Sequence, residues 1–123
     1  MFEKVKSFAS SFQRKPPQIR LDITDDVVTM FADGNEIWHV HWNAVTRIEA
    51  YKRDLFSTDL VCLDFFVESL NMTYPTHEEM QGFVALREQL HRHFPSVVKD
   101  WLPQVTFPPF TKNHRVLYEK SSA

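Results

Sequence analysis

Six histidines, one cysteine and a stretch of mixed charge are the residues of this 123-residue chain whose types and spacing could do chemistry. His39 and His41 flank Val40. On a strand that spacing sets two imidazoles on one face, about 7 Å apart. Two imidazoles are half of a tetrahedral zinc site, and His77 with Glu78 would be the next donors if the fold brought them near. His77-Glu78-Glu79 opens like a zinc-protease helix, but that motif needs a second histidine one turn later, and the position holds Gln81. His91 and His93 do not share a helix face and read as charge at a helix end. The expected outcome is no metal and no other cofactor. A small-ligand or metal-binding protein using His39, His41 and His77 is the alternative.

Cys62 sits in the apolar run Leu60-Val61-Cys62-Leu63. A nucleophilic thiol needs an accessible thiolate and a base, and an apolar strand favours neither, so Cys62 is expected to be a small core residue. With two glycines far apart, the chain has no glycine-rich phosphate cradle and no nucleophile elbow. No catalytic residue is expected, and the chain is not expected to be an enzyme. The best candidate for function is the stretch Lys52-Arg53-Asp54-Leu55-Phe56-Ser57-Thr58-Asp59. It mixes charges of both signs with two large apolar side chains that a solvated loop has no local reason to carry. An apolar anchor with a polar rim suits contact with another protein, so Lys52, Arg53, Asp54, Leu55, Phe56 and Asp59 are the expected partner-binding residues.

The elements that position these groups follow from periodicity. Phe2, Val5, Phe8, Ala9 and Phe12 recur at helical spacing, predicting an amphipathic helix over residues 1–15 that Pro16-Pro17 ends. Ile19, Leu21 and Ile23 alternate with polar residues, as a half-buried strand does. Asp33-Gly34 marks a two-residue hairpin between strands Val27–Ala32 and Glu36–Trp42. A fourth strand is expected over Val45–Tyr51, a doubly buried one over Leu60–Val67, and a short one over Met72–Tyr74. Thr76 and Glu79 have the spacing of a capping box, predicting a packing helix over residues 76–94 with Met80, Phe83, Val84, Leu86 and Leu90 on its apolar stripe. Ser96 to Leu102 should form a short second helix that Pro103 stops. The tail to residue 123 carries enough apolar residues to be docked. The expected core is Trp38, Val40, Trp42, Ile48, Leu63, Phe65, Phe83 and Leu90.

This reading gives one domain over residues 1–123, of α+β class: a strongly bent antiparallel sheet or partial barrel of six or seven strands at 18–74, capped by a C-terminal helix. The formal net charge of −2 lacks the basic face that a phosphate backbone asks for, so nucleic acid is not an expected partner. No run approaches the ~20 apolar residues of a membrane span. The lone cysteine fits a reducing, cytoplasmic setting. Peripheral membrane attachment through residues 1–13 is a further alternative, and a homodimer is compatible with the sequence.

The hairpin at Asp33-Gly34, the strand pattern through Tyr74, the helix after it and the segment WNAVTRIEAYKRDLFSTDLVCLDF together resemble small bacterial proteins of pleckstrin-homology-like fold, some of them grouped with toxin-immunity proteins. The likeness spans roughly residues 19–118 and is one of apolar spacing. It implies a bent roll capped by a helix and, for function, a non-enzymatic protein-binding module, in one form an immunity-type inhibitor of a toxin. The phosphoinositide-binding members of that superfold have a basic loop between their first two strands. Here that turn is Thr24-Asp25-Asp26.

Overall fold

The computed structural model describes residues 17–55, 58–109 and 111–121, with only the backbone at Asp54. The helix expected over residues 1–15 therefore lies outside the described residues.

Seven strands, among the described residues, fall into two antiparallel sheets. β1 (Ile19–Ile23), β2 (Val27–Ala32) and β3 (Asn35–His41) form a three-stranded meander. β4 (Arg47–Asp54), β5 (Asp59–Val67), β6 (Met72–His77) and β7 (Arg115–Glu119) form a sheet in the order β6-β5-β4-β7. The class is thus α+β. The strands divide between two open sheets where one continuous bent sheet was expected. The break falls at Trp42–Ala44, where a 3-10 turn re-aims the chain.

The hairpins follow local chemistry. Asp33 and Gly34 both have positive φ, at 50° and 83°, as a type I′ turn requires. Asn71, at φ 49°, ends the 3-10 turn Glu68–Leu70 and starts β6. β5 is buried along nearly its whole length on both faces, as its unbroken apolar run demands. β4 runs on through Lys52, Arg53 and Asp54, because each pairs with β5: Lys52 with Val61, Arg53 with Leu60 and Asp54 with Asp59. Within the expected loop Lys52–Asp59, Lys52, Arg53, Asp54 and Asp59 are therefore strand residues, and Leu55 N–H donates to Thr58 O at 2.9 Å.

The packing helix is shorter than its sequence signals predict. α1 spans Phe83–His93. Thr76 caps nothing: it lies on β6, and its hydroxyl donates to the Leu63 carbonyl at 2.6 Å. The chain from Glu78 to Gly82 instead runs against β1, where Leu21 N–H donates to Gln81 O at 2.7 Å and Gln81 N–H to Ile19 O at 3.2 Å. These bonds cover the free edge of β1. Gly82 has φ 96°, and any Cβ there would fall onto the Leu21 carbonyl oxygen. That close approach explains the glycine. The second helix is shifted as well: α2 spans Trp101–Thr106 and carries Pro103 in its first turn, where no intrahelical donor is lost.

The core gathers Val28 and Val40 from one sheet, Ile48, Leu63 and Phe65 from the other, and Phe83, Leu86 and Leu90 from α1. Trp42, Phe94, Trp101 and Val105 complete it. Of the expected core residues only Trp38 is partly exposed, packed edge-on to Tyr74 at 5.2 Å. Val84 departs from the expected stripe and is 57% exposed. The tail docks by pairing, not by burial alone: β7 lies against β4 in an antiparallel ladder. Among the described residues no helix is long and apolar enough to cross a membrane.

Candidate functional site

Two regions of the molecule concentrate charge and aromatic surface. The first is the end where β4 turns into β5. Even positions of β4 face the core, so Lys52 follows Ile48 and Ala50 inward. Its side chain is 1% exposed. The ammonium donates to Asp59 Oδ2 at 3.1 Å and to the carbonyl oxygens of Thr106 and Pro108 at 2.6 Å each. An ammonium has three donors, and all three are engaged. Lys52 N–H also donates to Lys112 O at 2.8 Å. Lys52 thus fastens the chain after α2 to the hairpin.

The expected partner-binding residues are consequently split. Lys52 is internal, and Asp59 starts β5 with its carboxylate on that ammonium. Arg53 and Leu55 are exposed. Phe56 and the side chain of Asp54 lie outside the described residues. The structure adds a residue that sequence reasoning assigned to the docked tail: Phe107, 67% exposed, on the segment that Lys52 holds. The sequence signal for it was the run Phe107-Pro108-Pro109, since paired prolines cannot join the interior of a sheet. Lys112, whose ammonium lies 5.5 Å over the Tyr51 ring, adds positive charge at this end.

The second region is a groove of about 780 Å³ beside Trp42. Trp42 closes β3, its backbone N–H donating to Asp26 O at 3.1 Å and its indole to Thr24 O at 2.9 Å. The His93 ring, from the last turn of α1, stacks on the indole at 4.3 Å with planes 10° apart. Phe94 packs against Trp42 and, at 4.6 Å, against Tyr118 of β7. Asp25, Asp26 and Lys120 are among the residues that line it. Asp25 pairs with Arg92 at 3.2 Å. Burial, then the Arg92 charge, push the His93 imidazole below its usual pKa, against an opposite pull from Asp25 and Asp26. Both effects favour the neutral ring, and among the described residues its Nε2 is buried without a hydrogen-bond partner. None of this could be read from the chain, because the groove is assembled from four segments distant in sequence.

A further polar cluster lies on the outward face of the four-stranded sheet. Tyr51 donates to Asp64 at 3.2 Å, and His114 Nε2 lies 3.0 Å from Glu49. Burial raises the Asp64 carboxyl pKa, with the Glu49 charge adding to it and the Tyr51 hydrogen bond opposing it. Burial likewise raises the Tyr51 hydroxyl, with Asp64 contributing. Cys62 is buried nearby, and desolvation pushes its thiol to about 11, so at neutral pH it is a thiol and a poor nucleophile.

His39 and His41 do share a face, edge to face at 5.7 Å, with His39 Nδ1 held 3.1 Å from Glu36. His77 sits on β6 in the other sheet, its Nδ1 accepting the Glu79 N–H at 3.2 Å. Among the described residues no group of three or more histidines, cysteines or carboxylates gathers at metal-ligand reach. No protein-family model, curated protein or solved structure matches this chain.

Proposed function

We propose that the chain is a non-enzymatic protein-binding module, docking through the end formed by the β4–β5 hairpin and the segment after α2. The observation that carries this reading is Phe107. A large apolar ring stands two-thirds exposed on a segment that a buried ammonium ties to the hairpin bearing Arg53 and Leu55. Rigid aromatic anchors lose little entropy on binding, which is why they dominate interface energetics. Arg53 and Lys112 leave the rim positive, so the partner surface is apolar with an acidic border. An immunity-type inhibitor of a toxin, on a pleckstrin-homology-like roll, is the specific form of this proposal. It rests on the likeness of Trp42–Phe65 to such proteins.

The test is affinity capture with the immobilised chain and with a Leu55→Glu/Phe107→Glu double variant that melts within a few degrees of wild type. A protein held by the first and lost from the second is the expected result. Equal retention on both, or retention by neither, overturns the assignment of this end.

A further inference from the structure

The outer face of the four-stranded sheet departs from the alternation expected of a sheet with one wet side. Val61, Leu63, Phe65 and Val67 of β5 belong to the core cluster. Side chains alternate along a strand, so Leu60, Cys62, Asp64 and Phe66 point the other way. A face open to water would carry polar residues there. Instead Leu60 is 5% exposed and Cys62 3% exposed, and neither belongs to the core cluster. Phe66 is half-buried, with the Arg47 guanidinium 4.5 Å over its ring. Asp64 Oδ1 is buried and accepts no hydrogen bond among the described residues. Apolar side chains closed to solvent and a buried oxygen lacking a donor both call for a layer on this side.

The described elements do not supply that layer. The first sheet, α1 and α2 send Val28, Leu86 and Trp101 into the cluster on the inner face. Residues 1–16 are the one long stretch outside the described residues. They carry Phe2, Val5, Phe8, Ala9 and Phe12 at helical spacing, with Lys4, Lys6, Arg14 and Lys15 against the single acid Glu3. An apolar stripe beside basic side chains complements an apolar face that holds an open carboxylate oxygen. The attachment point is also close. β1 opens at Ile19, whose carbonyl accepts Gln81 N–H at 3.2 Å, and Glu78 N–H donates to Val61 O at 3.0 Å. Two strand spacings and one tight turn put that entry on the order of 15 Å from β5. Residues 13–18 can span about 20 Å. A helix over residues 1–12 is about 18 Å long, comparable with the roughly 20 Å from Leu60 to Phe66.

We propose that residues 1–13 dock as an amphipathic helix on the outer face of β5, their phenylalanines over Leu60, Cys62 and Phe66 and one of their lysines on the Asp64 carboxylate. The sheet is then covered on both sides, which is what an apolar run buried on both faces requires. This docking stands whether or not the hairpin end binds a partner.

Cys62 is the only cysteine of the chain, so its labelling by an aromatic disulfide reagent reads the cover of this face. The full chain is compared with Phe8→Glu/Phe12→Glu and with Ser7→Glu/Ser11→Glu, which places the same charges on the opposite side of the helix. The phenylalanine variant should label at least about tenfold faster than wild type, and the serine variant within about twofold of it. The faster rate should be nearly independent of urea below the unfolding transition, because undocking one segment exposes little surface. Asp64→Asn should label at a rate between wild type and the phenylalanine variant. Equal rates in wild type and the phenylalanine variant overturn the proposal. So does a variant rate that rises with the full urea dependence of global unfolding, which would trace labelling to a weakened fold. Wild-type protection lost on dilution from about 100 μM to about 1 μM would put the segment of a second copy on this face and overturn docking within one chain. An unchanged rate in Asp64→Asn would overturn the lysine contact.

Discussion

The hairpin end and the Trp42 groove carry similar residue types in opposite states. At the hairpin end Lys52 is buried with three oxygens around its ammonium, and Asp59 completes the set. At the groove Lys120 is exposed and Asp26 stands without an ion pair among the described residues. A buried charge tolerates no vacancy in its hydrogen-bond shell, so the first arrangement is a structural tie. Charges exposed to water at the edge of a groove stay solvated, so they cost little to leave without an ion pair. The difference teaches that charge in a sequence does not locate function; the state of its partners does.

The comparison breaks most readily at Lys52. Lys52→Met keeps the stem but removes the ammonium that two buried carbonyls and Asp59 Oδ2 share, and should cost about 3–5 kcal/mol in urea unfolding. A loss below about 1 kcal/mol would reduce the tie to an ordinary surface contact. Next in size is Gly82→Ala, which forces a side chain into the left-handed region against the Leu21 carbonyl and should cost about 2–4 kcal/mol. Because Gly82 sets the start of α1, and α1 supplies His93, this change should also disturb the groove, seen as altered tryptophan fluorescence.

Smaller is the pH effect of His93. Its folded pKa lies below the unfolded value of 6.5, so the unfolded chain takes up the proton first as pH falls. Stability contributed by the neutral ring is present above pH 6.5 and is lost as pH drops through that value toward the folded pKa. His93→Phe, which keeps a ring on Trp42, should show a shallower fall in melting temperature between pH 7.5 and 5 than wild type; parallel curves would contradict the buried, neutral assignment. The smallest effect is expected for Asp26→Asn and Lys120→Gln, each within about 0.5 kcal/mol of wild type in the same unfolding assay. A large loss in either would mean that the group is already committed inside the fold, and the contrast between the two ends would collapse.

What was legible in the sequence was local. Alternation at Ile19, Leu21 and Ile23, the Asp33-Gly34 turn and the unbroken apolar run of β5 each report a backbone period or a turn geometry, which neighbouring residues suffice to define. The buried stripe of Phe83, Leu86 and Leu90 was readable for the same reason. The start of α1 was not. Thr76 and Glu79 have the spacing of a cap, but Thr76 meets the Leu63 carbonyl and the following residues bond to β1, so long-range hydrogen bonds override a local preference worth about 1 kcal/mol.

The amino-acid order by itself determined which segments extend, where they turn and which faces are apolar, because those properties depend on side-chain period and φ at single positions. Only the tertiary structure decided that Lys52 points inward among oxygens contributed from more than fifty positions away, and that Asp26, Trp42, His93 and Lys120 share one groove. Whether a charged group is satisfied depends on atoms brought near by folding, and sequence distance carries no measure of that.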